Sequence, residues 1–218
     1  MALCYTAAMK ARRLPDRIHL DWQAAGRTVA GRLSRAFLHA LGWRLIMDLP
    51  RIDKAIIVFY PHTSNWDFVI GLLARFGLGF PVTWAGKDNL FHWPFAGMWR
   101  RLGGIPVNRR EHTGFVSHMT AEFARRDVML LAIAPEGTRR RTAYWKSGAY
   151  RVALAAQVPI GLSFIDYRHR EIGVGGLLYP SGDAVADFGK LREFYAGKTA
   201  RRPEQAGPVA LRPDTTGH

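Results

Sequence analysis

Short apolar runs rich in β-branched and aromatic residues alternate along this chain with stretches of helical periodicity, and that alternation restricts it to an α/β layered sheet. Ala55–Tyr60 (AIIVFY), Asp127–Ala134 (DVMLLAIA) and Val158–Asp166 read as buried strands, with Pro81–Ala85 and Glu171–Tyr179 as further strands. Between them Phe68–Leu78, Thr113–Arg126, Ser147–Gln157 and Ala184–Ala196 read as helices. Earlier in the chain, Arg27–Met47 also follows a helical pattern. Val29, Leu33, Ala36, Phe37, Ala40 and Leu41 recur at spacings of three and four, and Arg32, Arg35 and His39 share another side. Two readings fit: a surface helix packed on its own domain, or a basic amphipathic helix lying among lipid headgroups with Trp43 at the interface. The domains expected are an N-terminal helical segment (1–50), one globular domain (51–198) and a loose tail rich in Pro, Gly and charge (199–218).

A chain of 218 residues that is 48% hydrophobic can bury one sizeable core. Its net charge of +14 favours anionic partners: nucleic acid, an acidic membrane surface or phosphorylated substrates. A single cysteine, Cys4, excludes a disulfide framework and a Cys-based zinc site, and fits a reducing cytoplasm. No signal peptide is read at the N-terminus, and no uncharged apolar stretch reaches the ~20 residues of a membrane span. A membrane partner would therefore be met at its surface.

Three strand ends carry chemistry-bearing residues. After the first buried strand comes Tyr60-Pro61-His62-Thr63-Ser64-Asn65-Trp66-Asp67. Sites in open α/β sheets gather at the carboxyl ends of strands. A histidine there can accept a hydroxyl proton, and an aspartate bonded to one ring nitrogen fixes the tautomer and stabilises the imidazolium. The structural alternative is that Asp67 caps the helix beginning at Phe68; it can also do both. After a second buried strand, Ala134-Pro135-Glu136-Gly137-Thr138-Arg139 places a glycine, a hydroxyl and a guanidinium where a phosphate or carboxylate can be held. The third segment, Gly103-Gly104-Ile105-Pro106-Val107-Asn108-Arg109-Arg110, reads as an edge strand with a basic turn.

His62-x4-Asp67, Gly104–Arg109, Glu136–Arg139 and Val158–Ile160, in that order, resemble the four motif blocks of the glycerolipid acyltransferases, the lysophosphatidate acyltransferase family. The resemblance implies a layered α/β sandwich with a central mixed, largely parallel sheet flanked by helices. It also implies transfer of a fatty acyl group from acyl-CoA or acyl carrier protein to the hydroxyl of lysophosphatidate or a similar lysolipid. By matched position, His62 is the expected general base and Asp67 its partner. Arg109 is expected to bind the acceptor phosphate, and Glu136, Gly137, Thr138 and Arg139 to shape the acceptor pocket. Lys87 is expected at the oxyanion, and Val158, Pro159 and Ile160 on the acyl or acceptor side. Pro61 and Pro106 stand where the family has Asn and Phe, which leaves the acceptor open to a lyso-aminolipid or glycolipid.

No cofactor and no metal are expected, since the acyl thioester is already activated and no His-Glu-x-x-His or His-x-His pair occurs. The aromatic stretch Leu90–Trp99 reads either as packing or as an apolar lip for an acyl chain, edged by Arg100 and Arg101. The rival from another class is a nucleic-acid-binding protein, supported by Arg139–Lys146 and the charge but by no recognised nucleic-acid motif. The expected location is cytoplasmic, peripheral at the inner face of the cell membrane.

Overall fold

The computed structural model describes residues 27–107 and 114–212. Seven strands form one mixed sheet: β1 (Arg44–Met47), β2 (Lys54–Tyr60), β3 (Val82–Lys87), β4 (Gly104–Val107), β5 (Met129–Ile133), β6 (Ile160–Asp166) and β7 (Glu171–Leu178). Their order across the sheet is β1-β7-β6-β2-β5-β3-β4. Five strands run parallel, and β7 turns back antiparallel on β6 with β1 parallel to β7 at the edge. The helices among the described residues are α1 (Val29–Ala40), α2 (Asn65–Leu78), α3 (Ala96–Arg101), α4 (Gly114–Arg125), α5 (Gly148–Ala155) and α6 (Ala184–Tyr195).

The central strand β2 explains the layering. Its run KAIIVFY is almost wholly buried because both faces are covered. Ile56, Val58 and Tyr60 meet Met119 and Phe123 of α4, Val152 and Ala153 of α5, and Leu191 and Tyr195 of α6. Ala55 and Ile57 join a cluster with Phe80, Leu130 and Val174, while Phe59 packs against Leu38 of α1 and Ile70 and Ala74 of α2. Because β2, β5 and β6 are parallel neighbours, the loops after β2 and β5 emerge at the same sheet end.

Two expectations change here. The helix expected over 27–47 stops at Ala40, and Arg44–Met47 becomes strand β1, paired with Glu171–Val174. Gly42, at φ 76, supplies the left-handed turn that ends the helical run. Trp43 is buried edge-on against Tyr167, with ring centroids 5.1 Å apart, so it is not an interface residue. Within the expected 1–50 helical segment, Arg44–Met47 therefore belongs to the sheet as β1. Nor are the described residues 199–212 a loose tail. Ala200 and Val209 are buried, Trp145 donates through its backbone to Ala210, and Tyr167 donates likewise to Thr199. Apolar residues spaced too widely to show a period still anchor this segment.

Helix α1 inverts the usual amphipathic arrangement. It buries Gly31, Ser34 and Leu38 against the protein, and leaves Val29, Leu33 and Phe37 exposed, as is Leu41 at its C-cap. No helix among the described residues is long and apolar enough to cross a membrane.

Candidate active site

The loop after β2 turns directly into α2, and the turn is built from its own side chains. Ser64 is the N-cap, and Asp67, three residues on, closes a capping box. The helix therefore begins at Asn65, earlier than Phe68, and Asp67 serves it from inside the first turn. Asp67 is fully buried. Its Oδ2 accepts the Thr63 and Ser64 amides, each at 2.7 Å, and its Oδ1 accepts the Tyr167 hydroxyl at 2.6 Å. Burial pushes this carboxyl up, but His62, the Tyr167 hydroxyl and the Ser64 amide outweigh it and hold it below the ordinary carboxylate value.

His62 Nδ1 faces the same carboxylate, 3.5 Å from Asp67 Oδ2. That is long for a hydrogen bond and short for an ion contact, and Nδ1 is buried with no hydrogen-bond partner. The pair is thus set for a charged interaction once the ring gains a proton. The ring edge rests on Phe59, with centroids 6.0 Å apart.

Glu136 comes from the loop after β5. Its side chain is 1% exposed and does not point outward. Oε2 accepts the His62 amide at 2.8 Å and Oε1 the Gly207 amide at 3.3 Å. Burial raises its pKa, opposed in part by those two amides. Glu136 therefore joins three distant pieces of chain: the histidine loop, its own loop and the C-terminal segment. Gly137 sits at φ 66, and a Cβ there would fall 2.7 Å from Cε of Lys146, so a larger residue would displace that side chain. The Thr138 hydroxyl accepts the Arg140 amide at 3.3 Å, and Arg139 is exposed.

Together these residues border an open cleft of about 1890 Å³. Its lining includes His62, Trp66 and the cations Arg139, Arg140, Lys146 and Arg202, together with Gly71, Leu72, Trp84, Trp99 and Ala132. Phe68, Trp84 and Trp99 pack edge to face, with Phe68–Trp84 centroids 4.9 Å apart. Cationic and apolar side chains therefore line the same cleft as the imidazole.

A family model for acyltransferases matches residues 45–161, just over half of the chain. The chain belongs to the acyltransferase family. Among solved structures, the acyltransferase is similar to the 1-acyl-sn-glycerophosphate (LPA) acyltransferase PlsC from Thermotoga maritima. The TM-score is 0.52 at 14% identity, covering 79% of each chain. That likeness bears on the fold, an α/β sandwich around a mixed, mostly parallel sheet. No curated protein matches the chain.

The structure brings His62, Asp67, Glu136, Gly137, Thr138 and Arg139 to one cleft. Arg109 and the side chain of Lys87 lie outside the described residues. The fourth block departs from expectation. Val158 and Ile160 are core residues and Ile160 pairs with Ile56, at the opposite end of the sheet from His62. This block starts a strand, and strand starts in a parallel sheet point away from the site. Among the described residues no cluster of His, Cys, Asp and Glu suits a metal ion.

Sequence reasoning did not find Tyr167, Gln205 or Gly207. With its amide nitrogen turned inward, Gln205 donates to the carbonyls of Arg139 at 2.8 Å and Thr63 at 3.1 Å. The Arg202 amide donates to Thr63 Oγ1 at 3.3 Å. None of these residues lies in a recognisable motif; only their fold neighbours reveal them.

Proposed function

We propose that this acyltransferase transfers a fatty acyl group from the thioester of coenzyme A or acyl carrier protein to the free hydroxyl of lysophosphatidate or a closely related lysolipid, with His62 as general base. The observation that carries the proposal is the imidazole placed against a buried carboxylate, in a cleft lined by both apolar and cationic side chains.

With Nδ1 turned to Asp67, Nε2 is the nitrogen available to the acceptor hydroxyl. It takes the hydroxyl proton as the oxygen attacks the thioester carbonyl. The tetrahedral oxyanion collapses, the C–S bond breaks, and the imidazolium returns its proton to the departing thiolate. Asp67 stabilises the imidazolium in between. General-base assistance of this kind contributes typically ~10²–10⁴-fold. Arg139 and Lys146 suit an acceptor phosphate, with Arg109 assigned the same task by its motif position. Trp84, Leu72 and Trp99 suit the acyl chain, which gains about 0.8 kcal/mol per buried methylene. No cofactor is needed, because the leaving group is already activated.

The acyltransferase meets its substrates at an anionic membrane surface, on the cytoplasmic side in this reading. Support comes from the exposed stripe Val29, Leu33, Phe37 and Leu41, the exposed Trp93 and Phe95, and the net charge of +14.

The test is product analysis by mass spectrometry after incubating the purified chain with long-chain acyl-CoA or acyl carrier protein and a panel of lysolipids. Wild type should acylate lysophosphatidate, and His62→Ala should lose the product while keeping its melting temperature. A His62→Ala protein working at the wild-type rate would remove the base from the mechanism. Preference for an uncharged lysolipid would remove the phosphate from the acceptor.

A further inference from the structure

We propose that Tyr167, on the turn between β6 and β7, is a positioning residue that holds the Asp67 carboxylate in the orientation His62 needs; this rests on the general-base reading above.

Asp67 Oδ2 is fixed by two backbone amides of its own loop, but those bonds leave the carboxylate plane free to swing about them. Oδ1 needs a donor from elsewhere, since Asp67 is fully buried and water cannot serve it. Tyr167, a hundred residues along the chain, supplies that donor at 2.6 Å. Burial, followed by the hydrogen bond to Asp67 and then its charge, raises the pKa of the phenol, so it stays protonated and donating.

The tyrosine is itself held from several sides. Its amide donates to the Thr199 carbonyl at 2.9 Å, and its ring meets Trp43 edge-on. Its neighbour Asp166, 1% exposed, accepts the amides of Arg168 at 3.0 Å and Thr199 at 3.3 Å, and contacts His169 Nδ1 at 2.8 Å. The β6–β7 turn is thereby pinned to the C-terminal segment, and the hydroxyl arrives at a fixed point. Thr199 and Tyr167 both lie outside the span matched by the family model.

Among the described residues, the titratable groups near Asp67 are His62 from its own loop, Tyr167 from the β6–β7 turn and Glu136 from the loop after β5, while Arg201 of the C-terminal segment lies 5.8 Å from the Tyr167 ring. Removing the phenol takes a donor from the ionised carboxylate and leaves Oδ1 unsatisfied. Protonation of Asp67 then becomes easier and the aligned charge is lost first at low pH.

The experiment compares Tyr167→Phe, Asp67→Asn, the double variant and His62→Ala in the full chain, measuring kcat, KM and their pH profiles. Tyr167→Phe should keep the ring packing and lower kcat about 10- to 100-fold. Its acid limb should move to higher pH, so that the deficit narrows as pH rises, with KM for the acyl donor unchanged. In the Asp67→Asn background the same change should cost nothing further. Unchanged kcat and acid limb, or an equal loss with and without Asp67, would overturn the role of Tyr167 while an inactive His62→Ala leaves the base in place. An active His62→Ala would instead remove the general-base reading itself. Should Tyr167→Phe not fold, 3-fluorotyrosine introduced at position 167, a stronger donor, must move the acid limb to lower pH; an unmoved limb overturns the proposal.

Discussion

Replacing Asp67 by Asn separates the charge of this carboxylate from its shape. The two amides of Thr63 and Ser64 require an acceptor at the Oδ2 position, so the Asn oxygen must sit there and its nitrogen must face Tyr167. The tyrosine hydroxyl can rotate to accept from that nitrogen. The helix cap therefore survives, at the cost of exchanging charge-assisted bonds for neutral ones. That exchange costs about 1 kcal/mol per amide, roughly 2 kcal/mol in all. For a chain of this size the melting temperature should fall by about 4–8 °C. Catalysis should suffer more. Unit charges at the 3.5 Å contact would interact by roughly 5 kcal/mol at an effective dielectric of about 20. Spreading the charge over the ring and the carboxylate reduces this to about 3–4 kcal/mol. The expected loss is roughly 10²- to 10³-fold in kcat. It is smaller than the ~10⁴-fold seen when such a change also imposes the wrong tautomer, because an acceptor still faces Nδ1. Thiol release from acyl-CoA, followed with a colorimetric thiol reagent beside a thermal melt, measures both quantities. A variant that keeps kcat within threefold of wild type while melting lower would show that Asp67 only caps a helix, and the imidazolium argument would fail.

Gly207 lies where a Cβ would collide with the Thr142 carbonyl, so Gly207→Ala should push the C-terminal segment off Glu136; a lower melting temperature and reduced turnover together are expected, read by melts and thiol release. Leu33→Glu with Phe37→Glu should leave turnover of short, soluble acyl thioesters unchanged and abolish co-sedimentation with anionic vesicles, since both side chains are exposed on α1. Asp67 and Asp166 have lowered pKa values, so their contribution to stability is complete above the ordinary value of about 3.9 and is lost as pH falls through their folded values. Glu136 runs the other way: its pKa is raised, so it favours folding below about 4.3 and that contribution disappears as pH rises through the folded value. Urea melts of Glu136→Gln against wild type from pH 3 to pH 7 should therefore show the variant's relative stability improving with pH; a constant difference would refute the assignment.

The residues that determine local structure were readable in order along the chain. AIIVFY reads as a buried strand of a layered fold, and the proline and polar residues after it read as a turn into a helix, although the structure starts that helix at Asn65 with Ser64 as its cap and Asp67 inside the first turn. The histidine–aspartate pair and the Glu136–Arg139 loop were legible for the same reason: each lies at a strand's carboxyl end, and β2 and β5 are neighbours. What the sequence could not set was how each group would be used. Glu136 was expected to shape the acceptor pocket, and the sequence could not show that it also ties distant chain together, because the direction of a side chain depends on amides far away at His62 and Gly207. Val158–Ile160 kept company with the site in motif order but not in space, since a strand's beginning and end lie on opposite edges of the sheet. Tyr167 and the segment from Thr199 to Arg212 carried no signal at all. Their contribution is one hydroxyl, the Gln205 side-chain amide and a few backbone amides, and such groups acquire chemical meaning only when tertiary packing brings them beside the site loops.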